Sequence, residues 1–153
     1  MSYDAPLLSA WSGGSALWPS IRLAGCVIKD DQDRVLLLHR NTPKRKHWEI
    51  PGGKLDPGED ESETATRELR EETGVEVNLE RELGKGIFVQ DGYIMVYTWF
   101  LATIASGTPR VRERNIHDRC EFLKIADLKA MTDELSPNAR NFVEELDGGR
   151  INI

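Results

Sequence analysis

Cysteine is scarce in this sequence. Only Cys26 and Cys120 occur among 153 residues, far apart and in no metal-ligand spacing. That excludes a disulfide framework and fits a reduced, cytoplasmic chain. Histidine is nearly as rare, and His39, His47 and His117 form no H-x3-H pair that would mark a zinc site. No apolar run approaches the ~20 residues that a membrane span requires. The first twenty residues, MSYDAPLLSAWSGGSALWPS, lack a basic start and a long apolar core, so they do not read as a signal peptide. Excess positive charge is missing too. With 20 Lys and Arg against 26 Asp and Glu, the formal net charge is −6, which argues against a nucleic-acid polymer as partner.

What is present describes one soluble domain. Hydrophobic residues make up 39% and charged residues 30%, ordinary values for a globular chain of this size. IRLAGCVI (21–28) and VLLLHR (35–40) read as strands around a DDQDR turn, and WEI (48–50) as a short third strand. NTPKRKH (41–47) is a basic loop, and PGGKLDPGE (51–59) a loop thick with turn formers. A helix is expected at about 60–73, with Asp60 as N-cap, Glu63 three residues on and Gly74 at its end. VEVNLE (75–80) and GKGIFVQ (84–90) read as two strands. Asp91-Gly92 then signals a hairpin into YIMVYTWFLAT (93–103). RCEFLKI (119–125) is a further strand. A last helix opens at Ser136-Pro137 and stops before Gly148-Gly149. The alternation of strands and helices predicts an α/β fold.

The expected helix carries Glu68, Glu71 and Glu72 at i, i+3 and i+4, on one face and about one 5.4 Å turn apart. Like charges so placed repel, by roughly 0.2–0.5 kcal/mol per pair. Arg67 stands i, i+4 to both Glu63 and Glu71 and offsets part of the charge. The face reads either as a solvated surface or as a hard, oxygen-rich cluster of the kind that binds Mg²⁺. Pro51-Gly52-Gly53 and Pro57-Gly58 favour the second reading, because they let backbone approach the helix closely.

Residues 53–75, GKLDPGEDESETATRELREETGV, fill every fixed position of G-x5-E-x7-R-E-U-x-E-E-x-G-U, where U is aliphatic. In this the chain resembles the Nudix hydrolase family. The match runs through Gly53, Glu59, Arg67, Glu68, Leu69, Glu71, Glu72, Gly74 and Val75. A looser resemblance covers 21–146, leaving 1–20 as an N-terminal arm and 147–153 as a tail. The resemblance implies an α/β/α sandwich around a mixed β-sheet, with the motif as loop–helix–loop. It implies a hydrolase of diphosphate linkages in nucleoside diphosphate derivatives, using Mg²⁺ or Mn²⁺. Glu68, Glu71 and Glu72 would hold metal with the Gly52 carbonyl. Glu59 would bind metal through water or support the loop, and Arg67 would orient a glutamate. Glu68 or Glu71 is the expected base. Ile116 stands where many relatives carry a downstream glutamate, so Glu113 and Asp118 are the neighbouring candidates.

Other residues are open to two readings. Lys44, Arg45, Lys46 and His47, together with Lys54, are phosphate contacts or solvated cations. Trp48 is a packing or a base-stacking residue, and Tyr93 a strand aromatic or a substrate contact. The WEIPGGK lead-in resembles MutT-type nucleoside triphosphate pyrophosphohydrolases, which release a monophosphate and pyrophosphate. ADP-ribose, nucleotide sugars and dinucleoside polyphosphates stay open as substrates. A catalytically silent nucleotide sensor is the rival of another class, and the intact Arg67, Glu68, Glu71 and Glu72 speak against it. The family's frequent two-fold pairing makes a homodimer the expectation, with Trp11 and Trp18 as anchors for the arm.

Overall fold

In the computed structural model, residues 18–153 are described. Most of the expected N-terminal arm, Trp11 included, lies outside them. Strands β1 (Ser20–Ile28), β2 (Arg34–Asn41), β3 (Lys46–Glu49) and β4 (Gly52–Lys54) precede helix α1 (Glu61–Thr73). Strands β5 (Glu76–Gln90), β6 (Tyr93–Ser106) and β7 (His117–Lys124) follow. The chain closes with a short α2 (Ile125–Leu128), a 3₁₀ segment (Lys129–Glu134) and α3 (Pro137–Asp147).

Four strands form a mixed sheet in the order β4-β1-β6-β5, in which β1 and β6 run parallel and the other pairs antiparallel. Three more, β3-β2-β7, form an antiparallel sheet. Side chains alternate between the two faces of a strand, and here each face meets its own core. Ala24, Cys26 and Ile28 of β1, with Phe100 and Ala102 of β6, pack on Ala65 and Leu69 of α1. Val27 of β1 and Met95, Tyr97 and Trp99 of β6 point the other way, to Ala139, Phe142 and Val143 of α3. The layers are therefore α/β/α. In β2, Val35 through Leu38 are all buried because both faces are covered, which is why VLLLHR reads as an apolar run without alternation. No helix among the described residues is long and apolar enough to cross a membrane.

Several elements form for reasons visible in the sequence. At α1, the Asp60 carboxylate accepts from Glu63 N–H and the Glu63 carboxylate accepts from Asp60 N–H, a full capping box. Gly74 ends the helix at φ 81°, a conformation that suits a residue without Cβ. Asp91 and Gly92 both take positive φ, 53° and 80°, and turn β5 into β6. Three expectations need correction. The two strands expected over 75–90 are one, β5, carried through Arg81–Leu83 by register shifts against β6. β3 starts two residues before Trp48, inside the expected basic loop. β4 forms inside the expected 51–59 loop, because Gly52 and Gly53 pair with Gly25 and Ala24 of β1.

Candidate active site

The segment WEIPGG carries the chain from β3 into β4, directly beneath α1. Gly52 N–H donates to Glu72 Oε1 at 2.8 Å. A Cβ on Gly53 would lie 2.5 Å from Glu68 Oε2, so only glycine leaves that carboxylate its place. From the far side, the loop after β6 caps the end of α1. Arg110 N–H donates to Thr73 O at 3.1 Å and Arg112 N–H to Glu72 O at 3.3 Å. Glu113 follows immediately. A cavity of about 350 Å³ opens where these segments meet, and Glu68, Glu72, Glu113 and Glu49 line one part of it. Arg40, Arg45 and Lys54 supply cations to the same cavity, and His47 lines it beside them. Leu23, Ile50, Phe88 and Met95 give it an apolar wall, with Gln90, Ser136 and Asn138 alongside.

The electrostatics of the acidic part are unbalanced. Glu72 is 4% exposed. Burial first, then the Glu68, Glu49 and Glu113 carboxylates, push its pKa well above the usual range, against the one Gly52 bond. Burial likewise raises Glu68, opposed by Arg67 and reinforced by Glu71. Among the described residues no cation is ion-paired to Glu72, whereas Arg67 reaches Glu68 at 3.2 Å and Glu71 at 3.0 Å. Arg67 is itself gripped by Glu59 through contacts of 2.7 and 2.9 Å. Glu59 also accepts from Asp56 N–H and the Thr64 hydroxyl, and the Arg67 bond chiefly holds its carboxyl down at about 2. Glu59 thus supports Arg67 and the loop. The buried Glu72 carboxylate beside Glu68 and Glu113, over a glycine cradle that a Cβ would fill, is a donor set suited to a hard divalent cation. The residues fit that group.

Glu49 is different. Burial alone would raise its carboxyl, but hydrogen bonds from His117, His47 and Arg40 outweigh it and hold the pKa below the usual range. Arg40 grips it bidentately at 2.8 and 3.0 Å, and the two histidine Nε2 atoms lie at 3.0 and 2.9 Å. A carboxylate only accepts, so each Nε2 carries its proton. Although Glu49, Glu72 and His117 stand within 4.8 Å of one another, the Glu49 oxygens are already committed to three donors. His117 Nδ1 is buried without a hydrogen-bond partner.

The expected site residues separate accordingly. Glu68, Glu72, Gly52, Lys54, Arg45 and Glu113 line the one cavity. Glu71 shares their helix face but is exposed and tied to Arg67. Three others stand apart from the cavity wall. Trp48 is buried in the core, edge-on to His39 at 4.9 Å with Arg119 over its ring. Tyr93 is 40% exposed at the start of β6. Asp118 accepts from Asn41 and pairs with His39. Arg45, together with Lys44, is held by Asp91 of the hairpin turn. Sequence reasoning missed Arg40, Glu49, His117, Tyr97 and Asn138. A charged residue between Trp48 and Ile50, in a strand with buried neighbours, was the available signal for Glu49. Asn138 needed the fold: Trp99 Nε1–H donates to its Oδ1 at 2.7 Å, so the amide offers its NH₂ to the cavity.

A carboxylate-bearing helix faces a glycine turn above a mixed sheet, with a cavity where they meet. Residues 19–146 match the NUDIX domain model, and the chain belongs to the Nudix family. The Nudix hydrolase YvcI of Bacillus subtilis is 39% identical over 90 residues, which cover 57% of this chain and 54% of YvcI. Bis(5'-nucleosyl)-tetraphosphatase (asymmetrical) of Mus musculus is 59% identical over 104 residues, 58% of this chain and 69% of that protein. A MutT Nudix hydrolase of Burkholderia pseudomallei superposes with a TM-score of 0.68 at 29% identity, covering 83% of this chain and 98% of that one. The chain spans about half or less of the length of several curated relatives that it matches.

Proposed function

We propose that this protein hydrolyses a diphosphate linkage in nucleoside diphosphate derivatives with the help of Mg²⁺, or Mn²⁺ in its place. The substrate we favour is a nucleoside triphosphate, cleaved in the MutT-like manner to a monophosphate and pyrophosphate. The observation that carries this reading is Glu72, a buried carboxylate without a counter-cation, beside Glu68 and Glu113 in a cavity that also offers cations and an apolar wall. Glu68, Glu71 and Glu72, with the Gly52 carbonyl, are the groups that would hold the cation. A divalent ion so held supplies Lewis acidity toward the phosphoryl oxygens. The chain's own residues do the rest. Arg67, fixed by Glu59, orients the Glu68 and Glu71 carboxylates. One of these two accepts the proton of the attacking water. Lys54, which has no ion pair among the described residues, would offset charge on the phosphates, with Arg40 and Arg45 reaching them only by sharing or leaving Glu49 and Asp91. The Asn138 amide and the Leu23, Phe88 and Met95 wall suit a nucleobase, one polar group fixing its orientation within an apolar slot.

The mouse relative supports a second reading, a dinucleoside polyphosphate as substrate. One experiment separates the two. The protein is incubated with standard and oxidised (d)NTPs, ADP-ribose, nucleotide sugars and dinucleoside polyphosphates, first with Mg²⁺ and then with chelator, and the products are resolved. We expect metal-dependent release of monophosphate and pyrophosphate from a triphosphate. Preferential cleavage of dinucleoside polyphosphates selects the second reading. Binding without cleavage of any compound overturns both and leaves a sensor.

A further inference from the structure

Two glycines follow Pro51, and they make room for different neighbours. Gly53 gives space to Glu68, as described above. A Cβ on Gly52 would instead lie 2.0 Å from Tyr97 Oη, and one on Gly25, its partner in β1, 2.1 Å from the same oxygen. One hydroxyl thus presses against both strands of the β1–β4 pair. Tyr97 reaches that point from β6, with its ring in the apolar cluster of Met95, Trp99 and Phe88 and only 4% of its surface exposed. Its Oη–H faces the carbonyls of Ile50 at 3.3 Å and Pro51 at 3.4 Å. The next peptide N–H along the chain, that of Gly52, is the one that holds Glu72.

We propose that Tyr97 is a positioning residue for the cation-holding carboxylates. Its hydroxyl fixes the Ile50–Gly52 backbone where Gly52 can hold Glu72 and Gly53 can clear Glu68. This inference rests on the reading that those carboxylates take a divalent cation. Tyr97→Phe keeps the ring packing and removes only the oxygen, leaving an atom-sized gap between Gly25 and Gly52 into which β4 can relax.

The test measures Mn²⁺ affinity of the full chain by the loss of the free-ion electron paramagnetic resonance signal, with melting temperatures taken in chelator. Y97F is expected to bind Mn²⁺ about tenfold more weakly, the cost typical of removing a group behind a metal ligand. Val143→Ala, a packing change in the same apolar cluster but away from the cavity, is expected to lower the melting temperature and leave Mn²⁺ affinity as in wild type. Wild-type affinity in Y97F overturns the inference, and so does an equal loss of affinity in V143A. A wild-type protein that binds no Mn²⁺ instead overturns the reading of the carboxylates themselves, and Tyr97 falls with it.

Discussion

Glu72 has poor neighbours for a carboxylate that lacks a cation. It is buried, takes one hydrogen bond from Gly52, and faces Glu68, Glu49 and Glu113. A glutamine there keeps the shape and an oxygen for Gly52 N–H while removing the group whose ionisation burial and three carboxylates oppose. E72Q is therefore expected to melt higher than wild type in chelator, by about 2–4 °C if the relief is near 1 kcal/mol. Its metal-dependent turnover should fall by orders of magnitude. A lower melting temperature in chelator would refute the account of Glu72 as a carboxyl that burial and its acidic neighbours disfavour. The thiols make a contrasting case. Burial pushes Cys26 up to about 12, and burial aided by Glu121 and Glu72 pushes Cys120 up to about 11. Raised pKa values mean less thiolate, roughly one part in ten thousand for Cys26 and one in a thousand for Cys120 at pH 8. Iodoacetamide at that pH should label the native protein far more slowly than free cysteine, and both thiols promptly in denaturant. Fast labelling of the native chain would return a reactive thiol to consideration.

At the scale of elements, the start of α3 links stability to binding. Ser136 caps the helix, its Oγ accepting from Ala139 N–H at 3.1 Å, while its own N–H donates to Trp48 O at 2.8 Å. Asn138 stands in the first turn, its carbonyl fixed by Trp99. S136A loses the cap, about 1 kcal/mol or 2–4 °C in melting temperature, and loosens the turn that aims Asn138. KM for the nucleotide substrate should rise more than kcat falls; an unchanged KM beside the expected stability loss would separate the cap from the cavity. α1 and α3 were legible in the sequence because their signals are local: Asp60 with Glu63, Gly74, and Ser136-Pro137 each act within a turn. β5 was not, since Arg81–Leu83 looks like a polar break until β6 absorbs it through shifts of register. Nor was β4, a three-residue strand made of turn formers that exists only because β1 lies beside it. The acidic face of α1 could be read from spacing, whereas the Arg40–Glu49–His117 cluster joins three strands of another sheet and needs the fold to bring it together.

Across the whole molecule the charge is net negative, −6, yet Arg40, Arg45 and Lys54 line the same cavity as its carboxylates. A uniformly acidic chain would repel both its substrate and itself. Glu68, Glu72 and Glu113 gathered at one place would attract a divalent ion, whose charge would then serve fold and function together. The expected consequence of the proposed cation site is a stability that depends on the cation. A ligand that binds only the folded state at about a hundred times its Kd adds roughly 2.7 kcal/mol. For a chain of this length that corresponds to a rise of about 5–11 °C in melting temperature. General screening works differently, acting on every exposed pair and falling off within a Debye length of ~8 Å at physiological salt. Saturating Mn²⁺ should therefore raise the melting temperature well beyond NaCl of the same ionic strength. E72Q should lose most of that rise, because the site is then short of a charge and a donor. If NaCl matched Mn²⁺, or if E72Q responded to Mn²⁺ as wild type does, Glu72 and its neighbours would not be the cation's site and any cation would have to be held elsewhere.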